Sequence, residues 1–161
     1  MDNVDERLGN FHRNLDNWIS DHKIEYGANL EDERFKEICR IMRFTEQDLK
    51  SLSAMDIQAA IYNLNYYLHY IHAITDREKA VKAWVEQTIG YIISGIQFDK
   101  FLKWEEKYNL AIRSHSSGTR LQILKTTADY RISSGNNSIS TIQNAIKVLE
   151  NIGRSRGYDR S

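Results

Sequence analysis

The chain is 161 residues long, 41% hydrophobic and 27% charged, with 22 Lys/Arg against 22 Asp/Glu. That length suits one domain with a buried core, and the composition is that of a folded chain rather than a disordered one. The single Cys39 excludes an intramolecular disulfide framework and suits a reducing compartment. No run reaches the roughly 18 apolar residues a membrane span needs, and Met1-Asp2-Asn3-Val4-Asp5-Glu6 lacks a signal-peptide core, so a cytoplasmic location is expected.

There is no proline, and apolar side chains recur at spacings of three and four from Val4 to Ile152. Together these predict helices throughout. Charge is unevenly spread: residues 1–56 hold 8 Lys/Arg and 13 Asp/Glu, residues 57–112 hold 6 and 6, and residues 113–161 hold 8 and 3. A basic last third suits nucleic acid, or the acidic first third of a neighbouring subunit.

In chain order, Val4, Leu8, Phe11, Leu15, Trp18 and Ile19 form the stripe of a first amphipathic helix ending at Gly27. Asn29 is positioned to cap a second helix carrying Phe35, Ile38, Cys39 and Met42, with Glu31, Asp32 and Glu33 at its positive end and Arg40 and Arg43 at its negative end. Cys39 reads as a small core residue. Thr45-Glu46-Gln47-Asp48 starts a short helix and Ser53-Ala54-Met55-Asp56 a long one, both in capping-box fashion.

The long region carries Ile57, Ala60, Ile61, Leu64, Leu68 and Ile71, then loses apolar character at Thr75-Asp76-Arg77-Glu78. A break or tight helical hairpin is expected there, one continuous helix being the alternative. Val81, Trp84, Val85, Ile89, Ile92 and Ile93 resume the stripe, which continues through Phe98, Phe101, Trp104, Tyr108 and Ile112. Ser114–Gly118 and Ser133–Asn137 read as loops. The last helix carries Ile139, Ile142, Ile146, Leu149 and Ile152, a near-heptad stripe suited to another helix or subunit.

The expected architecture is all-α: five to seven helices around a long central helical hairpin, homo-oligomeric. It comprises one domain over 1–153, with acidic helices in 1–52, the hairpin in 53–113 and C-terminal helices in 119–153. Residues 154–161 are expected to form a flexible basic tail.

No catalytic constellation stands out, so no enzyme is expected. His69 and His72 lie three apart, but no third ligand or paired-cysteine frame accompanies them, and neither metal nor cofactor is expected. Ser116-Ser117-Gly118-Thr119-Arg120 lacks the Gly-Lys-Ser/Thr grip of a phosphate loop. The basic residues Arg113, Arg120, Lys125, Arg131, Arg154, Arg156 and Arg160 are candidates for phosphate contact. Tyr62, Tyr66 and Tyr70 share a helix face; helix packing is the commoner use of such a row, and Tyr66 and Tyr70 are the candidates for base stacking.

The stretch from Ala60 to Gly95, AIYNLNYYLHYIHAITDREKAVKAWVEQTIGYIISG, resembles the central helical region of the small recombination mediator proteins of T-even-type bacteriophages and their distant phage relatives. The segment IQNAIKVLENIGRSRG, Ile142 to Gly157, resembles that family's last helix. The resemblance implies a helical homo-oligomer in the host cytoplasm that binds single-stranded DNA and helps a recombination or replication partner. It places Lys79 and Lys82 at basic positions of the family's DNA-binding helix.

The expected function is accordingly a non-enzymatic DNA-metabolism accessory, its acidic first third meeting the protein partner. The alternative is a structural or adaptor protein of a virion or packaging complex, with Arg154, Arg156 and Arg160 pairing with Glu31, Asp32 and Glu33 of a neighbour. A small inhibitor of a host enzyme is a third possibility.

Overall fold

The computed structural model describes residues 4–21, 32–99 and 101–158. Among them are six helices and no strand: α1 Val4–Asp21, α2 Asp32–Ile41, α3 Glu46–Ser51, α4 Ala54–Ser94, α5 Trp104–Ser114 and α6 Gly118–Tyr158. The fold is all-α. None of these helices is long and apolar enough to cross a membrane. The expected first-helix end at Gly27, the cap at Asn29 and the tail residue Arg160 lie outside the described residues.

Local chemistry sets the starts of α3 and α4. The Thr45 hydroxyl accepts from the Asp48 N–H while the Asp48 carboxylate accepts from the Thr45 N–H, at 3.2 and 2.8 Å. Ser53 and Asp56 repeat the exchange at 3.1 and 2.9 Å. Each pair satisfies two backbone donors that the first helical turn leaves unpaired.

The chain divides into two compact units. Unit 1 comprises Met1–Glu25 and Asp76–Ser133. Its core gathers Val4, Val81, Val85, Ile89, Ile93, Ala111 and Leu121, with Phe11 stacked on Trp84 at 5.8 Å. Unit 2 comprises Tyr26–Thr75 and Ser134–Ser161. Its core gathers Ile38, Ile41, Ile57, Leu64 and Ile71 with Ile139, Ile142, Ile146 and Leu149. Fully burying side chains of this size stabilises by about 1.5–3 kcal/mol each, so each unit has its own apolar driving force.

Two expected interruptions are absent. No turn occurs at residues 75–78, the place where a hairpin was expected, because the buried stripe of α4 continues there through polar residues. Thr75 is 2% exposed, and its hydroxyl donates to the Ile71 carbonyl at 2.8 Å. Glu78 is 8% exposed and accepts from Arg131 at 2.9 Å. With those groups satisfied, burial no longer opposes helix continuation.

The expected loop at Ser133–Asn137 is the interior of α6. Its small residues read as loop chemistry, yet Gly135 is needed for close packing: a Cβ there would lie 2.2 Å from the Thr75 hydroxyl oxygen. Of the loop expected at Ser114–Gly118, residues 115–117 lie between the helices, while Ser114 ends α5 and Gly118 starts α6.

Of the expected flexible tail, residues 154–158 belong to α6, which runs to Tyr158, and residues 159–161 lie outside the described residues. Arg156 donates to the carbonyls of Leu49 and Lys50 at 2.7 and 2.9 Å, and to that of Leu52. These carbonyls end α3, where the backbone has no partners of its own and the dipole favours a cation.

Candidate nucleic-acid interface

Most cations expected to hold phosphate are already engaged. In unit 1, three ion pairs join α4 to α6: Glu78–Arg131 at 2.9 Å, Lys82–Asp129 at 2.6 Å and Glu86–Lys125 at 3.2 Å. Residues 78, 82 and 86 are four apart on one face of α4 and alternate in sign, so the ladder favours one antiparallel register. Asp129 raises the pKa of Lys82, chiefly through their hydrogen bond.

Lys79 pairs with Asp76 at 2.7 Å, and Arg120 with Asp5 of α1. Lys125 also lies 5.3 Å from the ring centre of Tyr108. Arg113 is exposed and has no ion pair among the described residues.

In unit 2, Arg156 is bound to backbone carbonyls, and exposed Arg154 reaches Glu150 at 3.9 Å. The stacking candidates are covered as well. The Arg34 guanidinium lies 4.2 Å over the Tyr66 ring, and Tyr70 stacks on Tyr67 at 6.1 Å. His69 is exposed, His72 half-buried, and no group of three or more His, Cys, Asp and Glu able to hold a metal occurs among the described residues.

Folding also cancels the charge gradient. Unit 1 sums to 13 Lys/Arg and 13 Asp/Glu, and unit 2 to 9 and 9. In unit 1 the acidic start of the chain meets basic residues far along the sequence, Asp5 pairing with Arg120 and Asp16 with Arg77.

A site that combines available cations with aromatic surface lies instead on α2, in unit 2. An open cleft of about 610 Å³ is lined by Phe35, Lys36, Cys39, Arg40, Arg43, Phe44 and Asp48. Ile38 and Ile41 turn α2 inward, which leaves Phe35 46% exposed and Cys39 half-buried at the cleft rather than in the core. Phe35 meets Tyr67 edge-on at 6.1 Å. Burial raises the Tyr67 pKa, with smaller contributions from Cys39 and Tyr70.

The cations of this cleft are held to different degrees. Arg43 has no ion pair among the described residues, and Lys36 holds only Glu33, one helical turn away in solvent. Arg40 is bidentate to Glu37 at 2.7 and 2.8 Å and lies 5.3 Å over Phe44. That bond raises the Arg40 pKa and lowers that of Glu37.

Exposed pairs one turn apart are worth a few tenths of a kcal/mol, so a phosphate can displace them. The cleft therefore offers an aromatic surface for a planar ring beside one unpaired and one weakly paired cation. Reading by charge thirds passed over these residues because the acids of 31–37 outweigh them in the count. The signal was Phe35, Lys36, Cys39 and Arg40 along one side of α2, with Arg43 in the turn that follows it.

No protein-family model matches the chain, and no curated protein or solved structure does.

Proposed function

We propose that this chain is a non-enzymatic accessory protein of DNA metabolism, of the recombination-mediator kind, that holds single-stranded nucleic acid weakly in the α2 cleft and works beside a protein partner. The observation that carries the reading is Phe35 exposed beside Arg43 and Lys36 in an open cleft. Stacking on an aromatic ring supplies sequence-tolerant affinity, and the cations supply salt-sensitive attraction to phosphate. The electrical balance of each unit fits weak rather than tight binding.

The test is fluorescence anisotropy of a labelled oligo-dT strand at low and physiological salt, with duplex DNA as competitor. Salt-sensitive binding that prefers the single strand is expected. Phe35→Ala should weaken it about tenfold, in line with a stacking contribution of about 1–3 kcal/mol per base, and Arg43→Glu should weaken it and flatten its salt dependence. No binding at low salt, or variants that bind like the parent, would remove nucleic acid from the account.

A second reading, an adaptor in a virion or packaging complex, is favoured by a separate observation: Phe101 is 93% and Trp104 62% exposed. Assembly by complementary acidic and basic surfaces fits less well, because Arg156 is occupied within its own unit and each unit is neutral.

A further inference from the structure

The segment joining α4 to α5 is anchored by some apolar residues and offers others to solvent. Ile96 and Phe98 pack on the unit 1 core. The Leu102 N–H donates to the Asp99 carbonyl at 3.2 Å, and the Phe101 N–H to the Asp99 carboxylate at 3.3 Å. The start of α5 is held by the Glu106 carboxylate, which accepts from the Lys103 N–H at 2.8 Å. Beside these anchors Phe101, Trp104 and Leu110 stand exposed, Phe101 almost completely. Bulky aromatics held outward on ordered backbone are the usual anchors of a protein interface.

Charge is distributed unevenly around this surface. Arg77, Lys79, Lys82, Arg120, Lys125 and Arg131, the cations of α4 and α6 in unit 1, each hold a carboxylate. Lys103, Lys107 and Arg113, at the entry to α5 and along it, have no ion pair among the described residues. Lys103, Lys107 and Leu110 follow one another at spacings of four and three, so they share one side of the helix. Of the nearby acids, Asp99 and Glu106 are tied to backbone N–H groups. Glu105 is two residues from Lys103, about 200° round the helix.

We infer that this face of α5 docks an acidic peptide segment of a partner protein, one that carries bulky apolar side chains between its carboxylates. Phe101 and Trp104 take the apolar groups, and Lys103 and Lys107 take the charge. A second copy of this chain is the poorer occupant. A two-fold interface sets the same patch against itself, bringing Lys103 and Lys107 against their own copies. The site is separate from the α2 cleft and does not depend on nucleic-acid binding.

The experiment uses the full chain and a fluorescein-labelled 14-residue peptide alternating Asp/Glu pairs with Leu or Phe, compared with the same peptide bearing Lys at the acidic positions. Binding is read by anisotropy, and oligomeric state by sedimentation. The acidic peptide is expected to bind with a Kd on the order of micromolar and the basic one not to bind. Phe101→Ser, and separately Lys103→Glu with Lys107→Glu, should each weaken binding about tenfold or more with helicity and melting unchanged.

No binding of the acidic peptide, equal binding of both peptides, or variants that bind as the parent does would overturn the inference. So would a dimer that Phe101→Ser dissolves, since the face would then belong to a second copy.

Discussion

Gly135 of α6 lies so close to Thr75 of α4 that a Cβ on residue 135 would come 2.2 Å from the Thr75 hydroxyl oxygen and 3.4 Å from its methyl group. In an ordinary helix interior, replacing Gly by Ala gains about 1 kcal/mol. Here the sign should reverse. Gly135→Ala is expected to destabilise unit 2 by about 1–3 kcal/mol through overpacking, and Thr75→Ala in the same chain should recover most of the loss. Denaturant melts of the two single variants and the double variant check this; a stabilised Gly135→Ala chain would contradict the close approach.

Arg156 should behave as a structural residue rather than a ligand-binding one. Its guanidinium satisfies the carbonyls of Leu49, Lys50 and Leu52 at the end of α3. Arg156→Ala is expected to cost about 2 kcal/mol, the scale of charge-assisted hydrogen bonds. Arg156→Lys should recover only part, because an ammonium cannot reproduce the planar fork. The midpoint of urea unfolding reports both, while single-strand affinity of the folded Arg156→Ala protein should match the parent.

The Glu78–Arg131 pair invites a double-mutant cycle. Glu78 is nearly buried, its side chain 11% exposed, whereas the Arg131 side chain is 60% exposed. Solvent screening at the arginine limits the expected coupling to about 1 kcal/mol. Glu78→Ala alone should also strand no charge, because Arg131 can turn to water. A coupling near zero would mean that the pair does not hold in solution.

Acid should unpick the caps of α3 and α4 first. Hydrogen bonds from Thr45 hold the Asp48 pKa below its ordinary value, and bonds from Ser53 do the same for Asp56. A depressed carboxylate pKa means that the stabilisation is complete above about pH 4, the unfolded value, and is lost as pH falls through the folded pKa. Asp48→Asn and Asp56→Asn together should flatten the melting temperature between about pH 4 and pH 2 relative to the parent. An unchanged slope would place the acid sensitivity elsewhere.

Much of the fold was legible in the sequence because it is local. The spacing of apolar residues, the Thr45–Asp48 and Ser53–Asp56 boxes and the Ser114–Gly118 loop all depend on groups within a turn or two of one another. The candidate site was less legible. Arg43 and Phe35 sit among acids that mask them in any count by segment, and Tyr66, a sequence-level stacking candidate, is covered by Arg34 from another helix.

What the sequence determined by itself is the all-α class, the helix caps and the faces of Ile57, Leu64, Val85 and Ile142 that turn inward. The tertiary structure alone decided that α4 passes unbroken through Thr75 and Glu78, that α6 passes through Gly135, and that Lys82, Lys125 and Arg131 each face a carboxylate on the other helix. The reason is range. A cap or an amphipathic stripe is written within one turn of chain, whereas Glu78 and Arg131 are 53 residues apart and meet only when two helices pack. Packing is also what turns polar residues that look like a break, and small residues that look like a loop, into the interior of a helix.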